Sequence, residues 1–422
     1  MGRVPTTHFL SRTRSIPSQA SQTSSYPVKQ PITSTPTTAI KMPFSTVLPM
    51  YPPPRSILAR YRLLSPTASV RVSPICLGGM SFGDNWADHM GSCDQETTEA
   101  ILDEFYNQGG NFIDTSNNYQ FQQSEKWIGE WMKKRGNRNE IVLATKYSTN
   151  YLAGEPDKER RVIINHQGNG SKSLHVSVAD SLKRLQTDYL DLLYVHWWDF
   201  STSIPELMQS LNSLVVAGKV LYLGISDSPA WVVSKANEYA RNHGLRQFSV
   251  YQGLWNAATR DLEREVIPMC QSEGMGIAPW GTMGSGAFKT EEQRQAQSKG
   301  GRNVQPSETD IRISRALEAV AKRHSTRVTS VAMAYVMAKT PYVFPIVGCR
   351  TVDHLKGNIE ALSINLSGED IKEIEGANSF DPGFPMTMLY GPVIPEDSQN
   401  VWLMKMGGTL DPVLPPKAIK PQ

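Results

Sequence analysis

The sequence predicts a (β/α)8 barrel, on the strength of three observations. Eight short apolar runs alternate with amphipathic stretches over roughly 270 residues, which is the size of a barrel of this kind. The strict alternation of strand-like and helical stretches is typical of parallel strands joined by helices. Polar side chains gather where the strand-like runs end, as they do at the functional face of a barrel.

The predicted strands are short runs rich in Val, Ile and Leu. They cover residues 75–78, 111–114, 141–146, 190–196, 220–225, 248–252, 276–279 and 343–348. A doubly wound sheet is the structural alternative, but it would need a glycine-rich phosphate turn such as GxGxxG after an early strand. Residues 77–83 do not have that spacing, and this favours the barrel.

The predicted helices lie between the strands and carry apolar residues at helical spacing. They cover residues 97–107, 124–134, 174–185, 204–217, 230–242, 261–273 and 311–339. The first ends at Gly109 and Gly110 and the second before Gly136, because glycine readily adopts the left-handed conformation that closes a helix.

Residues 1–54 have a different composition, with 17 Ser or Thr and 10 Pro. Such a segment cannot bury enough apolar surface to fold, so we expect a disordered leader. A mitochondrial transit peptide is a second interpretation, because the segment contains Arg and lacks acids. A start at Met42 or Met50, with a gene-model artefact upstream, is a third. We expect the barrel over residues 55–380 and a C-terminal tail over 381–422.

The net charge of +3 conceals a split along the 422 residues. Nine of the 43 basic residues and none of the 40 acidic residues precede Asp84, so the body carries six more acids than bases. The body therefore lacks the broad basic surface that nucleic acid requires. No apolar run reaches the ~18–20 residues of a membrane span. We expect a cytoplasmic protein, or a mitochondrial one if the leader is a transit peptide.

The cysteines are far apart and form no CxxC pair, which favours reduced thiols over disulfides or a metal site. They are Cys76, Cys93, Cys270 and Cys349.

Polar residues end five successive predicted strands. They are Asp114, Lys146, His196, Ser226 with Asp227, and Gln252. Tyr119 lies five residues after Asp114, in a short loop. Each residue also has a structural interpretation, such as a turn cap, a surface lysine or a packed core histidine. Their shared position at strand ends favours a common site, because parallel strands of a barrel present their carboxyl ends at one mouth.

These residue types fit one kind of proton transfer. A tyrosine hydroxyl has an ordinary pKa near 10, and a nearby ammonium lowers it. A carboxylate keeps the ammonium charged, and an imidazole can orient a carbonyl oxygen. Tyr119 could then give a proton to a carbonyl that is being reduced by hydride from a cofactor.

At these residues the sequence resembles the aldo-keto reductase superfamily over about residues 60–377. The motifs are Gly-Asn-Phe-Ile-Asp-Thr-Ser-Asn-Asn-Tyr at 110–119, Ala-Thr-Lys at 144–146 and Tyr-Val-His-Trp-Trp at 194–198. Residues 124–131, 196–199 and 278–281 are similar to the fungal aryl-alcohol dehydrogenase and norsolorinic-acid-reductase-like branch.

The resemblance implies a catalytic tetrad and an extended NADP(H) site. The tetrad would be Asp114, Tyr119, Lys146 and His196, with Tyr119 as general acid/base. The residues implied at the cofactor are Ser226, Asp227 and Gln252 for the nicotinamide amide, Gly281, Gly284 and Gly286 for the pyrophosphate, and Arg350, His354 and Asn358 for the adenosine phosphate. An arginine facing the 2′-phosphate favours NADP over NAD.

Three positions depart from the pattern of the superfamily. Asp227 stands where many relatives have Asn, and a carboxylate cannot donate to an amide. Ala287 stands where relatives often have Lys, for which Lys289 is a candidate substitute. Ile277 stands where many relatives stack an aromatic ring on the nicotinamide.

The implied substrate is a small-molecule carbonyl or alcohol, with Trp197 and Trp198 as an aromatic wall and residues 380–403 as a possible cover. Two other functions remain open at this stage. One is a catalytically weak nucleotide-binding subunit that regulates a partner. The other is a metal-dependent hydrolase, although His196 alone among the eight histidines ends a predicted strand. The sequence predicts neither the substrate nor the oligomeric state.

Overall fold

Ten strands are present in the computed structural model, which describes residues 48–295, 304–391 and 401–421. They are β1 (Arg62–Ser65), β2 (Ala68–Val72), β3 (Cys76–Gly78), β4 (Phe112–Asp114), β5 (Val142–Tyr147), β6 (Leu190–Val195), β7 (Val220–Ser226), β8 (Phe248–Leu254), β9 (Gly276–Trp280) and β10 (Ile346–Gly348). β3 to β9 pair in chain order, and β10 pairs with β3, all in parallel. The predicted (β/α)8 barrel is confirmed. Residues 1–47 of the predicted leader lie outside the described residues.

The barrel closes between β9 and the segment that precedes β10. Ile277 and Val343 form a parallel bridge. The Ile277 N–H donates to the Tyr342 carbonyl at 2.9 Å, and the Phe344 N–H donates to the Ile277 carbonyl at 2.9 Å. The predicted strand 343–348 is therefore divided into a bridge and β10. Pro345 separates them, because proline has no N–H to give to a ladder.

The hairpin of β1 and β2, which the sequence patterns did not predict, covers the amino-terminal end of the barrel. Its residues Leu64, Ala68 and Val72 are fully buried and pack in one cluster with the first interior residues of the strands. A Cβ on Gly276 at the start of β9 would lie 2.2 Å from the Leu64 carbonyl oxygen. The hairpin therefore excludes water from the end of the barrel opposite the predicted site.

The two-residue period of the strands decides which side chains enter the barrel. Phe112, Val142 and Ala144 belong to the interior cluster. Asp114 and Lys146 follow them at even spacing on the same strands. Both polar side chains are therefore directed into the carboxyl-terminal mouth of the barrel.

The helices of the described residues pack around the sheet and along the tail. They are α1 (Ala87–Met90), α2 (Gln95–Asn107), α3 (Gln123–Arg135), α4 (Ser171–Arg184), α5 (Ile204–Val216), α6 (Ala230–Asn242), α7 (Val266–Glu273), α8 (Glu291–Gln295), α9 (Glu308–Arg323), α10 (Val328–Lys339), α11 (Val352–Glu360), α12 (Gly368–Gly376), α13 (Met386–Tyr390) and α14 (Trp402–Lys405). In these ranges no helix has the length and apolar character needed to cross a membrane.

Two predicted helices differ from the structure. The stretch 261–273 begins as a 3-10 turn, and α7 starts only at Val266. Pro268 explains the late start, because proline is accepted in the first turn of a helix but not in its interior. The stretch 311–339 is two helices, α9 and α10, separated by Ser325 with a left-handed φ of 51°. Such a φ interrupts the helical hydrogen bonds.

Candidate active site

Lys146 at the carboxyl end of β5 joins two other predicted residues of the site, Asp114 and Tyr119. Its Nζ donates to Asp114 Oδ1 at 2.5 Å, to the Thr115 carbonyl at 2.8 Å and to the Tyr119 hydroxyl at 3.1 Å. An ammonium has three N–H donors, so all of them are used. Lys146 is fully buried, and water does not compete for these bonds. One N–H is thereby held against the Tyr119 oxygen.

A strained turn holds Tyr119 over the mouth. The three residues that follow it have φ values of 51°, 47° and 78°, although none is glycine. Each such residue costs roughly 1–2 kcal/mol in a left-handed conformation. Gln120 stabilises the turn, because its fully buried amide donates to the Met80 carbonyl at 3.0 Å and accepts from the Trp86 N–H at 2.8 Å.

Electrostatics keep the lysine charged and the tyrosine protonated. Burial lowers the pKa of Lys146, but the charges of Asp114 and Tyr119 raise it, and the net direction is upward. Burial raises the pKa of Tyr119 and the Lys146 ammonium opposes it, again with a net rise. The ammonium has the expected lowering effect on the Tyr119 pKa, but the loss of hydration is larger and outweighs it.

His196 completes the cluster from the end of β6. Its Nδ1 lies 3.3 Å from the hydroxyls of both Ser116 and Thr149, and its ring meets the Tyr119 ring edge-on with centroids 5.9 Å apart. Burial, and then the Lys146 charge, lower the pKa of His196 well below its ordinary value. The imidazole is therefore neutral at neutral pH, and it can act as a hydrogen-bond donor without carrying a charge.

A cavity of about 820 Å³ extends from this cluster to α11. Eleven predicted site residues line it, namely Asp114, Tyr119, His196, Trp197, Asp227, Gln252, Gly281, Gly286, Arg350, His354 and Asn358. Lys146 supports the wall from behind. Ser226 and Gly284 are outside the lining but adjoin residues within it. No described residue beyond 380 lines the cavity, and residues 392–400 of the predicted cover lie outside the described ranges.

Asp227 is bound to a residue whose role the sequence analysis missed. The indole Nε1 of Trp280 donates to Asp227 Oδ2 at 3.1 Å, and the Ser226 hydroxyl donates to the same oxygen at 3.2 Å. Burial raises the pKa of Asp227. Ile277 instead packs in the core outside the barrel, so the aromatic side chain at this strand end is Trp280. Its place one residue after a predicted strand was the signal that could have identified it.

The glycine turn after β9 forms one wall of the cavity. Gly281, Gly284 and Gly286 have φ values of 69°, 71° and 103°, which L side chains rarely adopt. Thr282 within this turn also lines the cavity, and its buried hydroxyl has no hydrogen-bond partner among the described residues. An unsatisfied buried hydroxyl beside a turn rich in backbone N–H groups is suited to a polar ligand.

Cationic side chains gather at the far end of the cavity, where Lys289, Arg327 and Arg350 line it. His354 lines the same cavity, and burial, then the charges of Arg350 and Arg327, lower its pKa. Arg350 Nη1 also donates to the Met90 carbonyl at 3.4 Å. Arg327 was missed because it precedes a helix that was predicted to be continuous at that point.

The two adjacent tryptophans of the predicted substrate wall have different surroundings. Trp197 lines the cavity and stacks on His196, with centroids 4.5 Å apart and planes 14° from parallel. Trp198 packs against the hydrophobic core and does not line the cavity. Trp86 lines the cavity instead of Trp198. Its ring is edge-on to the rings of Tyr119 and Phe121, with centroid distances of 6.3 and 5.9 Å. Its position in the loop after β3 was the available signal, since such loops border a barrel mouth.

A barrel with a buried Lys–Asp pair, a tyrosine and a neutral histidine at the carboxyl ends of its strands has the groups needed for proton transfer to a small carbonyl compound, which is the chemistry of a barrel oxidoreductase. The chain belongs to the aldo/keto reductase family, whose model matches residues 74–379. Members of this family generally use NAD(P)H. The resemblance found in the sequence motifs is therefore confirmed.

Proteins similar to this chain include fungal enzymes of two kinds. Norsolorinic acid reductase B of Dothistroma septosporum is 57% identical over 371 residues, which are 86% of this chain and 94% of the relative. An aryl-alcohol dehydrogenase of Pestalotiopsis microspora is 54% identical over 373 residues, 87% of this chain and 95% of the relative. A putative aryl-alcohol dehydrogenase of Saccharomyces cerevisiae is 49% identical over 346 residues, 80% and 92% of the two chains.

Proposed function

We propose that this protein is an NADP-dependent oxidoreductase that interconverts an aromatic aldehyde or ketone and its alcohol, with Tyr119 as general acid/base. One observation carries the proposal: the Tyr119 hydroxyl lies 3.1 Å from the Lys146 ammonium, which is itself paired with Asp114. A proton donor beside a fixed positive charge is the arrangement that protonates a developing alkoxide.

Each member of the cluster has a separate part in this chemistry. A nicotinamide cofactor, when bound, would supply or accept the hydride. Tyr119 donates its proton to the carbonyl oxygen during reduction, and the Lys146 ammonium stabilises the phenolate that remains. Neutral His196 donates a hydrogen bond that orients the carbonyl. Asp114 keeps the ammonium charged and in place.

The chemistry of the cavity supports a dinucleotide with an additional phosphate. The unpartnered Thr282 hydroxyl and the glycine turn provide donors for a pyrophosphate. Lys289, Arg327 and Arg350 concentrate positive charge at the other end, which suits a 2′-phosphate and favours NADP over NAD. The cavity volume of about 820 Å³ is at the upper end of the ordinary range for ligand pockets.

The substrate wall supports a flat aromatic compound. Trp86 and Trp197 border the reacting end of the cavity, and aromatic rings pair favourably edge-on or offset. The names of the similar proteins, norsolorinic acid reductase and aryl-alcohol dehydrogenase, indicate that aryl aldehydes and polyketide-type aromatic ketones are the compounds to test first.

Purified protein mixed with NADPH and a panel of these carbonyls tests the proposal through the loss of NADPH absorbance. We expect turnover that falls at least about 100-fold in Tyr119→Phe, while NADPH binding measured by fluorescence persists. Full activity of that variant would refute the role of Tyr119. NADPH binding without turnover of any carbonyl in the unmodified protein would favour the regulatory-subunit hypothesis instead.

A further inference from the structure

A chain of hydrogen bonds runs from the substrate wall to the back of His196. The indole Nε1–H of Trp197 donates to Thr149 Oγ1 at 2.9 Å. The same Thr149 oxygen lies 3.3 Å from His196 Nδ1. The two rings are stacked, so the indole covers the imidazole while its N–H reaches past it to the threonine.

The donors and acceptors along these hydrogen bonds decide which nitrogen of His196 carries the proton. An indole N–H can only donate, so Thr149 Oγ1 accepts from Trp197. The hydroxyl proton of Thr149 is then free to donate, and among the described residues His196 Nδ1 is the acceptor within hydrogen-bond distance. A neutral imidazole that accepts at Nδ1 carries its proton at Nε2. Nε2 is the nitrogen left for the cavity, where a carbonyl oxygen needs a donor.

Ser116 opposes this arrangement from the same side. Its hydroxyl also lies 3.3 Å from His196 Nδ1, but its proton is directed to Asn118 Oδ1 at 2.8 Å. Ser116 therefore presents a lone pair to Nδ1 and favours the opposite tautomer. In that tautomer the Thr149 proton would lose its acceptor, and Nε2 would turn a lone pair toward the substrate oxygen.

We propose that Thr149 is a positioning residue that holds His196 in the Nε2–H tautomer, with Trp197 orienting the threonine hydroxyl. The proposal deepens the proposed function and rests on it for the role of Nε2–H. Thr149 acts through the histidine and is distinct from the residues that touch the reacting atoms.

The backbone around this chain is held independently of the hydroxyl. The side-chain amide of Asn117 donates to the Thr149 carbonyl at 3.4 Å, and the buried side-chain amide of Asn169 donates to the Trp197 carbonyl at 2.8 Å. Ser148 Oγ accepts from the His196 N–H at 3.3 Å. Replacing the threonine by the isosteric valine therefore removes one hydroxyl and leaves the supports of both strand ends in place.

The tautomer can be measured directly. A two-bond ¹H–¹⁵N correlation spectrum of protein labelled with ¹⁵N-histidine distinguishes protonated from unprotonated ring nitrogens, and His196→Gln identifies the His196 signals. We expect the Nε2–H form in the unmodified protein. Thr149→Val should shift the population toward Nδ1–H, because Ser116 then presents the remaining partner. Thr149→Ser should restore the Nε2–H form.

Kinetics of carbonyl reduction give the second readout. Thr149→Val should lower kcat about tenfold, the value of one hydrogen bond of about 1.4 kcal/mol, with the affinity for NADPH unchanged. Thr149→Ser should remain within about twofold of the unmodified protein. Ser116→Ala is the matched control, because it removes the other hydroxyl at the same distance and should retain both the Nε2–H form and the turnover.

Two results would overturn the proposal. One is a His196 that carries its proton at Nδ1 in the unmodified protein. The other is a Thr149→Val variant that keeps both the Nε2–H form and its kcat. The spectra are recorded without substrate or cofactor, so an absence of turnover in every variant would count against the proposed function and leave the tautomer measurement standing.

Discussion

The Lys146 ammonium and the Asp114 carboxylate form an ion pair at 2.5 Å, with side chains that are 0% and 3% exposed. Loss of hydration makes such a pair costly to break, because a single buried charge remains. The carboxylate is held from its other side by Gln252, which donates to Asp114 Oδ2 at 3.1 Å. The pair therefore stabilises the barrel mouth and keeps a positive charge beside Tyr119.

Lys146→Met should lower the free energy of unfolding by about 3–5 kcal/mol, because Asp114 loses its partner. The double variant Asp114→Asn/Lys146→Met should recover most of that loss while remaining inactive. Chemical denaturation measures the first effect and NADPH consumption the second. A double variant as unstable as the single one would show that lost packing, and not the unpaired carboxylate, is responsible.

The pH dependence should differ between the two directions of the reaction. Reduction needs protonated Tyr119, whose pKa lies above its ordinary value of about 10, and neutral His196, whose pKa lies well below about 6.5. We therefore expect kcat for reduction to stay level between about pH 6.5 and 9.5. Alcohol oxidation needs the phenolate and should rise with pH across the same window.

These profiles are recorded at saturating substrate and cofactor, with overlapping buffers. A decline in reduction centred near pH 8 would mean that the Lys146 charge outweighs burial at Tyr119. The rise in oxidation should be absent in Tyr119→Phe, which has no group to ionise.

Arg350→Ala should weaken NADPH binding about 10–100-fold and leave NADH binding unchanged, because a guanidinium makes charge-assisted bonds to a phosphate that NADH lacks. Fluorescence titration with both cofactors measures this. Lys235→Ala removes a positive charge from the exposed face of α6 and is the matched control. An equal loss for both cofactors would place Arg350 elsewhere than at the 2′-phosphate.

Trp86→Ala should change substrate binding, whereas Trp198→Ala should change stability. Trp86 lines the cavity, so its removal should raise KM for aryl aldehydes about tenfold with little effect on small aliphatic ones. Trp198 packs on the core, so its removal should cost about 1–3 kcal/mol of stability and leave substrate preference unchanged. Parallel measurements of KM and thermal unfolding on both variants separate the two roles. Loss of aryl preference in Trp198→Ala would contradict this assignment.

The barrel could be predicted because its signals are local. Each barrel strand is marked by its own apolar run. Asp114, Lys146 and Gln252 each lie near the carboxyl end of a strand, two residues after a side chain that packs inside the barrel. Parallel strands bring those ends to one mouth, so sequence spacing alone places the side chains in the same region. The break between α9 and α10 was missed because residues 322–327, Lys-Arg-His-Ser-Thr-Arg, contain neither Gly nor Pro to signal it.

The sequence by itself determined the order of the barrel strands and the chemical character of the mouth. Only the tertiary structure decided that Trp280 binds Asp227, that Trp86 and not Trp198 joins the cavity wall, and that burial keeps the pKa of Tyr119 high. These outcomes depend on distances and burial across residues far apart in the chain. Periodicity shows which face of an element is apolar, but only packing shows which partner covers it and how much water remains.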